Sequence, residues 1–158
     1  MRVLGIDPGT SVTGYGVVET GNGAPGPGRL VECGVLRFAR RRALPDRLAE
    51  LHDGITALIT RHRPTALALE NAFYHKNVRT TLVLGQAWGV VLLVAAQQGL
   101  EIKEYSPATV KKTVVGAGGA GKGQVAAMVA RLLRLKQAPR PADAADGVAV
   151  ALTHILRA

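Results

Sequence analysis

The chain has 158 residues, of which 47% are hydrophobic, and it carries 20 lysines and arginines against 11 aspartates and glutamates. This length fits one domain over residues 1–158 with a buried core, and the hydrophobic share excludes a disordered chain. A net charge of +9 favours nucleic acid or another polyanion as the partner, although a basic protein without such a partner stays an alternative.

Strands dominate the first part of the chain. Residues 2–6 form an apolar run, Pro8 and Gly9 indicate a turn, and residues 13–19 and 30–38 are two further apolar stretches. The segment 21–28 is rich in glycine and proline, which no regular element tolerates, so we expect a loop there, away from any functional site. The three apolar stretches therefore predict a three-stranded meander.

Helices and strands alternate in the rest of the chain. Helical periodicity begins at Pro45 and is followed by a short apolar strand over residues 66–69 and a helix over 79–98. A strand over 101–105, a helix over 107–115, a glycine-rich loop over 116–123, a helix to about residue 135 and a helix over 143–156 complete the order. We predict an α/β fold, in which a mixed sheet of about five strands is flanked by helices on both faces.

The cysteine content and the apolar segments bear on location. Cys33 is the single cysteine, so internal disulfides and a cysteine-based zinc site are excluded, and a reducing compartment is indicated. Asp7 interrupts the N-terminal apolar stretch, which argues against a signal peptide. The apolar segment 81–98 contains Gln86, which favours a buried helix over a membrane span. We expect a cytoplasmic protein that is not bound to a membrane.

Four carboxylates carry the strongest chemical signal. Asp7 and Glu70 each end a buried apolar run, and Asp143 and Asp146 lie three residues apart where the last helix begins. Carboxylates at such positions are costly to desolvate unless a bound cation compensates them, and hard divalent cations prefer oxygen ligands. Spacing of three places Asp143 and Asp146 on one helix face. The set predicts a metal-dependent enzyme that acts on a polyanion.

Each acid also has a simpler structural interpretation. Asp143 fits an N-cap or a first-turn acid, Asp7 fits a turn before Pro8, and Glu70 could pair with Lys76 or Arg79 on the surface. The joint occurrence of all four is less easily explained in this way.

Four sequence blocks resemble the RuvC family of bacterial Holliday junction resolvases. They are GIDPGTSVTGYGVVE, LENAFYHKNVRTTLVLGQAWG, EYSPATVKKTVVGAGGAGKGQV and PADAADGVAVALTH, in the order that the family has them. The resemblance implies an RNase H-like fold, a homodimer, and symmetric nicking of four-way DNA junctions with two Mg²⁺ or Mn²⁺ ions per active site. It also implies cooperation with branch-migration motor proteins. The family's catalytic, metal-binding acids correspond to Asp7, Glu70, Asp143 and Asp146.

The resemblance also points to residues that contact DNA. Phe73 corresponds to a family phenylalanine implicated in base contact at the junction, although it could instead pack in the core. Lys111 and Lys122 match positions that the family needs for activity, where they would hold phosphate near the scissile bond. Lys76, next to Phe73, and Lys112, next to Lys111, complete the expected DNA-binding set. The apolar helix that begins near Thr81 is a candidate for the dimer surface, the alternative being an ordinary core helix.

Trp88, the pair Gly147-Val148 and the segment 21–28, which is longer than is typical, depart from the family pattern. Trp88 stands where a basic residue is usual, which would change either a DNA or interface contact or only packing. Gly147 replaces a more usual alanine, and glycine costs a helix about 1 kcal/mol relative to alanine. We expect none of these changes to alter the chemistry.

Other functions fit parts of the sequence. Residues 116–122 have the spacing of a P-loop, but Gly123 replaces the serine or threonine that binds Mg²⁺, and a helix is predicted before the loop. The segment around Asp7 is similar to the phosphate loop of the actin and sugar-kinase group, whose duplicated domain is too long for this chain. A nuclease of related fold acting on structured RNA or RNA–DNA hybrid, and a junction-binding module without catalysis, are the alternatives that compete most directly.

Overall fold

The computed structural model of the protein describes residues 1–21, 23, 26–72 and 76–158, without the side chain of Lys122. The strands in this part of the chain are β1 (Arg2–Asp7), β2 (Val12–Glu19), β3 (Arg29–Arg37), β4 (Ala66–Glu70) and β5 (Glu101–Tyr105). The helices are α1 (Leu44–His62), α2 (Val78–Gln97), α3 (Pro107–Val115), α4 (Lys122–Leu132) and α5 (Ala142–Arg157).

The five strands form one mixed sheet in the order β3-β2-β1-β4-β5. The first three strands are antiparallel neighbours, whereas β4 runs parallel to β1 and β5 runs parallel to β4. The antiparallel part follows from short connections, and the parallel part follows from the crossover helices α1 and α2. The predicted mixed sheet with an opening meander is confirmed.

Helices cover both faces of the sheet, and each face has its own apolar core. On one face, α3, α4 and α5 pack over Val3, Val18 and Ala68. On the other face, α1 and α2 pack over Leu4, Val17 and Leu67. Because side chains alternate along a strand, neighbouring residues of β1, β2 and β4 contribute to opposite cores.

Helix α5 lies very close to the centre of the sheet because glycines on the helix and on the strands leave room for the other backbone. A Cβ atom on Gly147 would lie 2.5 Å from the backbone of Tyr15, and a Cβ on Gly14 would overlap the carbonyl oxygen of Asp143. Real Cβ atoms do not approach other atoms that closely, so both positions require glycine in this arrangement. The departure at Gly147 therefore has a structural reason: it allows α5 to rest on β2.

The predicted helix to residue 135 ends earlier, at Leu132. Arg134 adopts a left-handed conformation with φ 54°, and the backbone N–H of Leu135 donates to the carbonyl of Ala130 at 2.8 Å. This 6→1 bond is the Schellman ending, which usually has glycine at the left-handed position. The sequence contains arginine there, so the helix end could not be recognised from a glycine.

Helix α2 is less buried than predicted. Among its apolar side chains, Val78 is 81% exposed, Leu82 62% and Leu93 53%, and only one side of the helix contacts the sheet. Within the described residues it is the one helix long and apolar enough to cross a membrane by length and composition, and core helices of soluble proteins pass the same test. The prediction of a buried helix is therefore wrong for its outer side, whose large apolar side chains are exposed in the described structure.

Candidate active site

Asp7 and Glu70 lie side by side at one edge of the sheet. Strands β1 and β4 are parallel, and Ile6 pairs with Leu69, so the next residue of each strand is an acid at the same level. Both acids are partly buried, in contrast to the fully buried residues before them. The backbone N–H of Asn71 donates to the carbonyl of Tyr105 at 3.0 Å, which fixes the end of β4 directly after Glu70.

Asp143 and Asp146 project from the beginning of α5. The N-cap of this helix is Pro141, and no side chain caps it, so the interpretation of Asp143 as the N-cap is wrong. Asp143 is nevertheless a first-turn acid, a position that the helix dipole favours. The close packing of α5 on Gly14 brings this first turn against the end of β1, where Asp7 lies.

Three of the four acids lie close enough together to bind one metal ion. One carboxylate oxygen from each of Asp7, Asp143 and Asp146 can be chosen so that all three lie within 4.8 Å of one another. Opposite oxygen ligands of a bound Mg²⁺ are about 4.2 Å apart, so a small movement of the side chains suffices. The residue types and this spacing fit a hard divalent cation.

The fourth acid, Glu70, lies near this group, in the wall of a cavity of about 190 Å³. Its walls include Asp7, Glu70, Asp146 and Lys111, together with Pro107, Val110, Val125 and Ala149. The ends of β1 and β4 and the first turns of α5 therefore meet at this cavity. The sequence did not predict the apolar side chains that line this cavity, because α3 and α4 lie next to the acids only in the folded protein.

The predicted DNA-binding residues differ in their placement. Lys111 lines the cavity beside the acids, whereas Lys112 is exposed on α3 and does not line it. Lys76 is exposed just before α2. Lys122 is the first residue of α4, but its side chain lies outside the described part of the molecule, as does the whole of Phe73.

Trp88 lies next to the end of β4. Its indole Nε1 donates to Glu104 Oε1 on β5 at 2.6 Å, and its side chain lines a small recess together with Pro8, Glu70 and Ala72. This residue therefore contacts the edge strand β5 and lies beside Glu70. The indole N–H thereby supplies a hydrogen-bond donor to a carboxylate on the edge strand.

A tyrosine–histidine pair supports β5 on the α5 side. Tyr105 Oη lies 2.9 Å from His154 Nδ1. Burial raises the pKa of Tyr105 and lowers the pKa of His154, so both groups stay neutral at pH 7. This pair stabilises the strand whose last carbonyl holds Asn71, immediately after Glu70.

Comparison with known proteins gives a consistent result. The family model for crossover junction endodeoxyribonuclease RuvC matches residues 3–154. The chain is 48% identical to RuvC of Halorhodospira halophila over 97% of this chain and 89% of that protein, and 47% identical to RuvC of Chloroflexus aurantiacus over 98% and 92%. The chain belongs to the RuvC family.

Solved structures agree with this assignment. A Thermus thermophilus RuvC structure superposes with a TM-score of 0.88 at 38% identity, covering 99% of this chain and 94% of the other. A T. thermophilus RuvC structure in complex with Holliday junction substrate gives 0.91 at 36% identity, with the same coverage. The predicted RNase H-like fold is confirmed.

The geometry of the glycine-rich loop and the family membership decide between the alternative functions. Helix α3, not a strand, precedes the glycine-rich loop, and the N–H of Gly121 donates to Gln124 Oε1 at 2.9 Å as part of the start of α4. This geometry contradicts a P-loop, in which a strand leads into the loop. The family consists of DNA endonucleases by name, which favours catalysis over a purely binding module and DNA over RNA.

Proposed function

We propose that the protein resolves four-way DNA junctions by paired, symmetric nicks, as a metal-dependent endonuclease of DNA recombination and repair. The observation that carries this proposal is the group of Asp7, Asp143 and Asp146 with Glu70 in the adjoining cavity, in a chain that belongs to the RuvC family. The RuvC structure with Holliday junction substrate supports the choice of a junction as the substrate.

The four acids would hold two divalent ions, Mg²⁺ or Mn²⁺. When bound, such ions activate a water molecule and neutralise the charge on the leaving oxygen of a phosphodiester. Asp7, Asp143 and Asp146 offer oxygens within one group, and Glu70 offers a further carboxylate from the cavity wall. The expected products are a 5′-phosphate and a 3′-hydroxyl, which can be ligated.

The lysines and one aromatic residue would hold the DNA. Lys111 lies in the same cavity as the acids, so its ammonium group can bind a phosphate oxygen next to the scissile bond. We assign Lys122, Lys112 and Lys76 to flanking phosphates, and Phe73 to contact with a splayed base. Phosphate contacts give affinity with little sequence information, so we expect the shape of the junction to select the substrate.

The exposed apolar side of α2 supports a homodimer. Val78, Leu82 and Leu93 are large apolar residues that this chain leaves in solvent, and a second copy would cover them. Two active sites related by a two-fold axis would match the two cuts that resolution requires. We further expect branch-migration motor proteins as partners and a cytoplasmic location, which the single, partly buried Cys33 also fits.

Cleavage of a synthetic four-way junction tests the proposed function. With Mg²⁺ or Mn²⁺, the wild-type protein should make paired symmetric nicks and leave a linear duplex largely uncut. Asp146→Asn should bind the junction but cut it more than about 100-fold more slowly, since even residues that only orient metal ligands contribute about 10- to 100-fold.

Asp53→Asn is the matched control, because Asp53 is an exposed aspartate on α1. It should cut like wild type. If wild type binds the junction and cuts it with neither metal, the protein is not a nuclease on this substrate. Equal cleavage of junction and linear duplex would refute selection by junction shape.

A further inference from the structure

Three arginines from distant parts of the sequence line one surface groove. The groove has a volume of about 510 Å³, and its walls are formed by Thr10, Arg40, Arg47, Asn77, Arg79, Thr80 and Val83. Arg47 belongs to α1 and Arg79 to the first turn of α2, whereas Arg40 lies between β3 and α1. None of these three arginines is explained by the four acids or by the apolar cores.

Among the described residues, no acidic side chain neutralises the positive charge of the groove. Its walls contain no carboxylate, and no ion pair joins Arg40, Arg47 or Arg79 to an acid in the described ranges. The first turn of α2 also has no acidic residue, so the positive end of the helix dipole adds to the charge. Such a groove attracts an anion.

Arg40 and Arg47 are held in place by hydrogen bonds that use only some of their N–H donors. Arg47 Nη1 donates to the carbonyl of Thr10 at 3.2 Å, and Arg40 Nε donates to Ser11 Oγ at 3.2 Å. Within the described structure, the buried Nε of Arg47 has no acceptor. Since a guanidinium has five N–H donors, both side chains keep several for a ligand.

The groove lies beside the active site but on the other face of the sheet. Thr10 belongs to the short segment that joins Asp7 to β2, so one loop borders both places. The cavity with the acids and Lys111 is formed by α3, α4 and α5, whereas the groove is formed by α1 and α2. A DNA strand that is cut at the acids could thus be held on both sides of the sheet edge.

We propose that this arginine groove is a second phosphate-binding site, which holds the backbone of a junction arm on the side of the active site opposite Lys111. The inference rests on the proposed function, because it names where that substrate is held. Arginine and threonine donors suit phosphate oxygens, and no aromatic side chain lines the groove within the described residues. The site therefore binds the DNA backbone without reading bases.

The double variant Arg40→Gln/Arg79→Gln tests the groove. Both side chains are exposed, so their replacement leaves the cores intact, and Arg47 is kept because it ties α1 to the loop after Asp7. Binding to a four-way junction and to a linear duplex is measured without divalent metal between about 50 and 200 mM salt. The matched control is Arg63→Gln/Arg157→Gln, two exposed arginines at the opposite end of the sheet.

The groove variant should bind the junction about tenfold more weakly and should reduce the slope of log K against log salt by about 1 to 2. The control, with the same loss of charge, should change the slope by much less. Equal slopes for the two double variants would overturn the proposed groove. So would a loss of affinity that depends on base sequence.

Cleavage by wild type separates this inference from the proposed function. If wild type fails to cut the junction while the two double variants differ in salt slope, the function is wrong and the phosphate groove stands. If wild type cuts and the two slopes are the same, the function stands and the groove does not bind DNA.

Discussion

Helices α5 and α2 cross opposite faces of the same sheet, and the less apolar of the two is the more buried. Every residue of α5 from Gly147 to His154 is buried, whereas α2 buries Ala87, Val91, Val94 and Ala95 along one side only. The difference lies in what surrounds each helix: small residues let α5 rest directly on β2, and α3 and α4 cover its other sides. Burial therefore depends on the neighbours that enclose a helix, and the outer apolar side of α2 is exposed within the described residues.

Removing a large side chain from α5 should have the largest effect on stability. Leu152 is fully buried, so Leu152→Ala should lower the free energy of unfolding by about 2–5 kcal/mol, through lost apolar burial and the cavity left behind. Urea unfolding followed by circular dichroism measures this. Leu156→Ala, on the same helix but 43% exposed, is the control and should cost much less; equal costs would contradict the burial of α5.

Because α5 lies so close to the sheet, we expect a single added methyl group at Gly147 to lower the stability of the protein. Gly147→Ala gains about 1 kcal/mol of helix propensity, but the new Cβ would lie 2.5 Å from the backbone of Tyr15. Overpacking against rigid atoms typically costs about 1–3 kcal/mol, so a net loss of up to about 2 kcal/mol is expected in the same unfolding experiment.

Gly123→Ala serves as the control for this substitution, because a Cβ there meets no atom within 4 Å. It lies in the first turn of α4 and should be neutral or slightly stabilising. A gain in stability from Gly147→Ala would mean that α5 sits farther from the sheet.

On the face of the sheet opposite α5, polar contacts around Glu32 stabilise the fold to an extent that depends on pH. Glu32 accepts a hydrogen bond from Tyr15 Oη at 2.8 Å and from Arg61 Nη2 at 2.6 Å, and its other oxygen lies 2.6 Å from His62 Nε2. Burial alone would raise the pKa of Glu32, but these partners outweigh it and hold the pKa below its ordinary value. The ionised form is thus favoured in the folded protein.

Glu32→Gln should lower the free energy of unfolding by about 1 kcal/mol at pH 7. Because the folded pKa is depressed, the stabilisation by Glu32 is present above its ordinary pKa of 4.5 and is lost as the pH falls through the lower folded value. The difference from wild type should therefore shrink in acid. A difference from wild type that stays constant from pH 7 into acid would refute the pKa shift of Glu32.

A polar change on the outer side of α2 should have the smallest effect on the fold. Leu82 is 62% exposed, so Leu82→Gln should change the free energy of unfolding by no more than about 0.5 kcal/mol. Under the proposed dimer, however, it should weaken self-association in sedimentation equilibrium. Leu156→Gln on α5 is the control, and equal self-association of both variants and wild type would exclude α2 as the dimer surface.

The strand pattern and the acid positions could be predicted because local sequence determines them. An apolar run that ends in Asp7 or Glu70 marks both a strand and its end, and spacing of three places Asp143 and Asp146 on one helix face. Parallel neighbours then bring the acids to a common edge. These predictions needed only short-range patterns and the order of elements.

The features that were missed depend on contacts between distant parts of the chain. The match between Gly14 and α5 is a property of two surfaces, and nothing near Gly14 in the sequence indicates it. Arg40, Arg47 and Arg79 likewise join one groove only after α1 and α2 have packed. The sequence left open whether Leu82 is exposed or buried, because periodicity shows that a helix has an apolar side and does not show what covers it.

The pairing of Ile6 with Leu69 limits how this sequence can vary in length. Side chains alternate between the faces of a sheet, so one inserted residue within β1 or β4 would turn Asp7 or Glu70 toward the wrong face. An insertion in segment 21–28 would have no such effect, because that segment follows β2 at the end where Glu19 pairs with Arg2, far from Asp7. We therefore expect insertions and deletions to be tolerated at that end of the sheet and not at the end that carries Asp7 and Glu70.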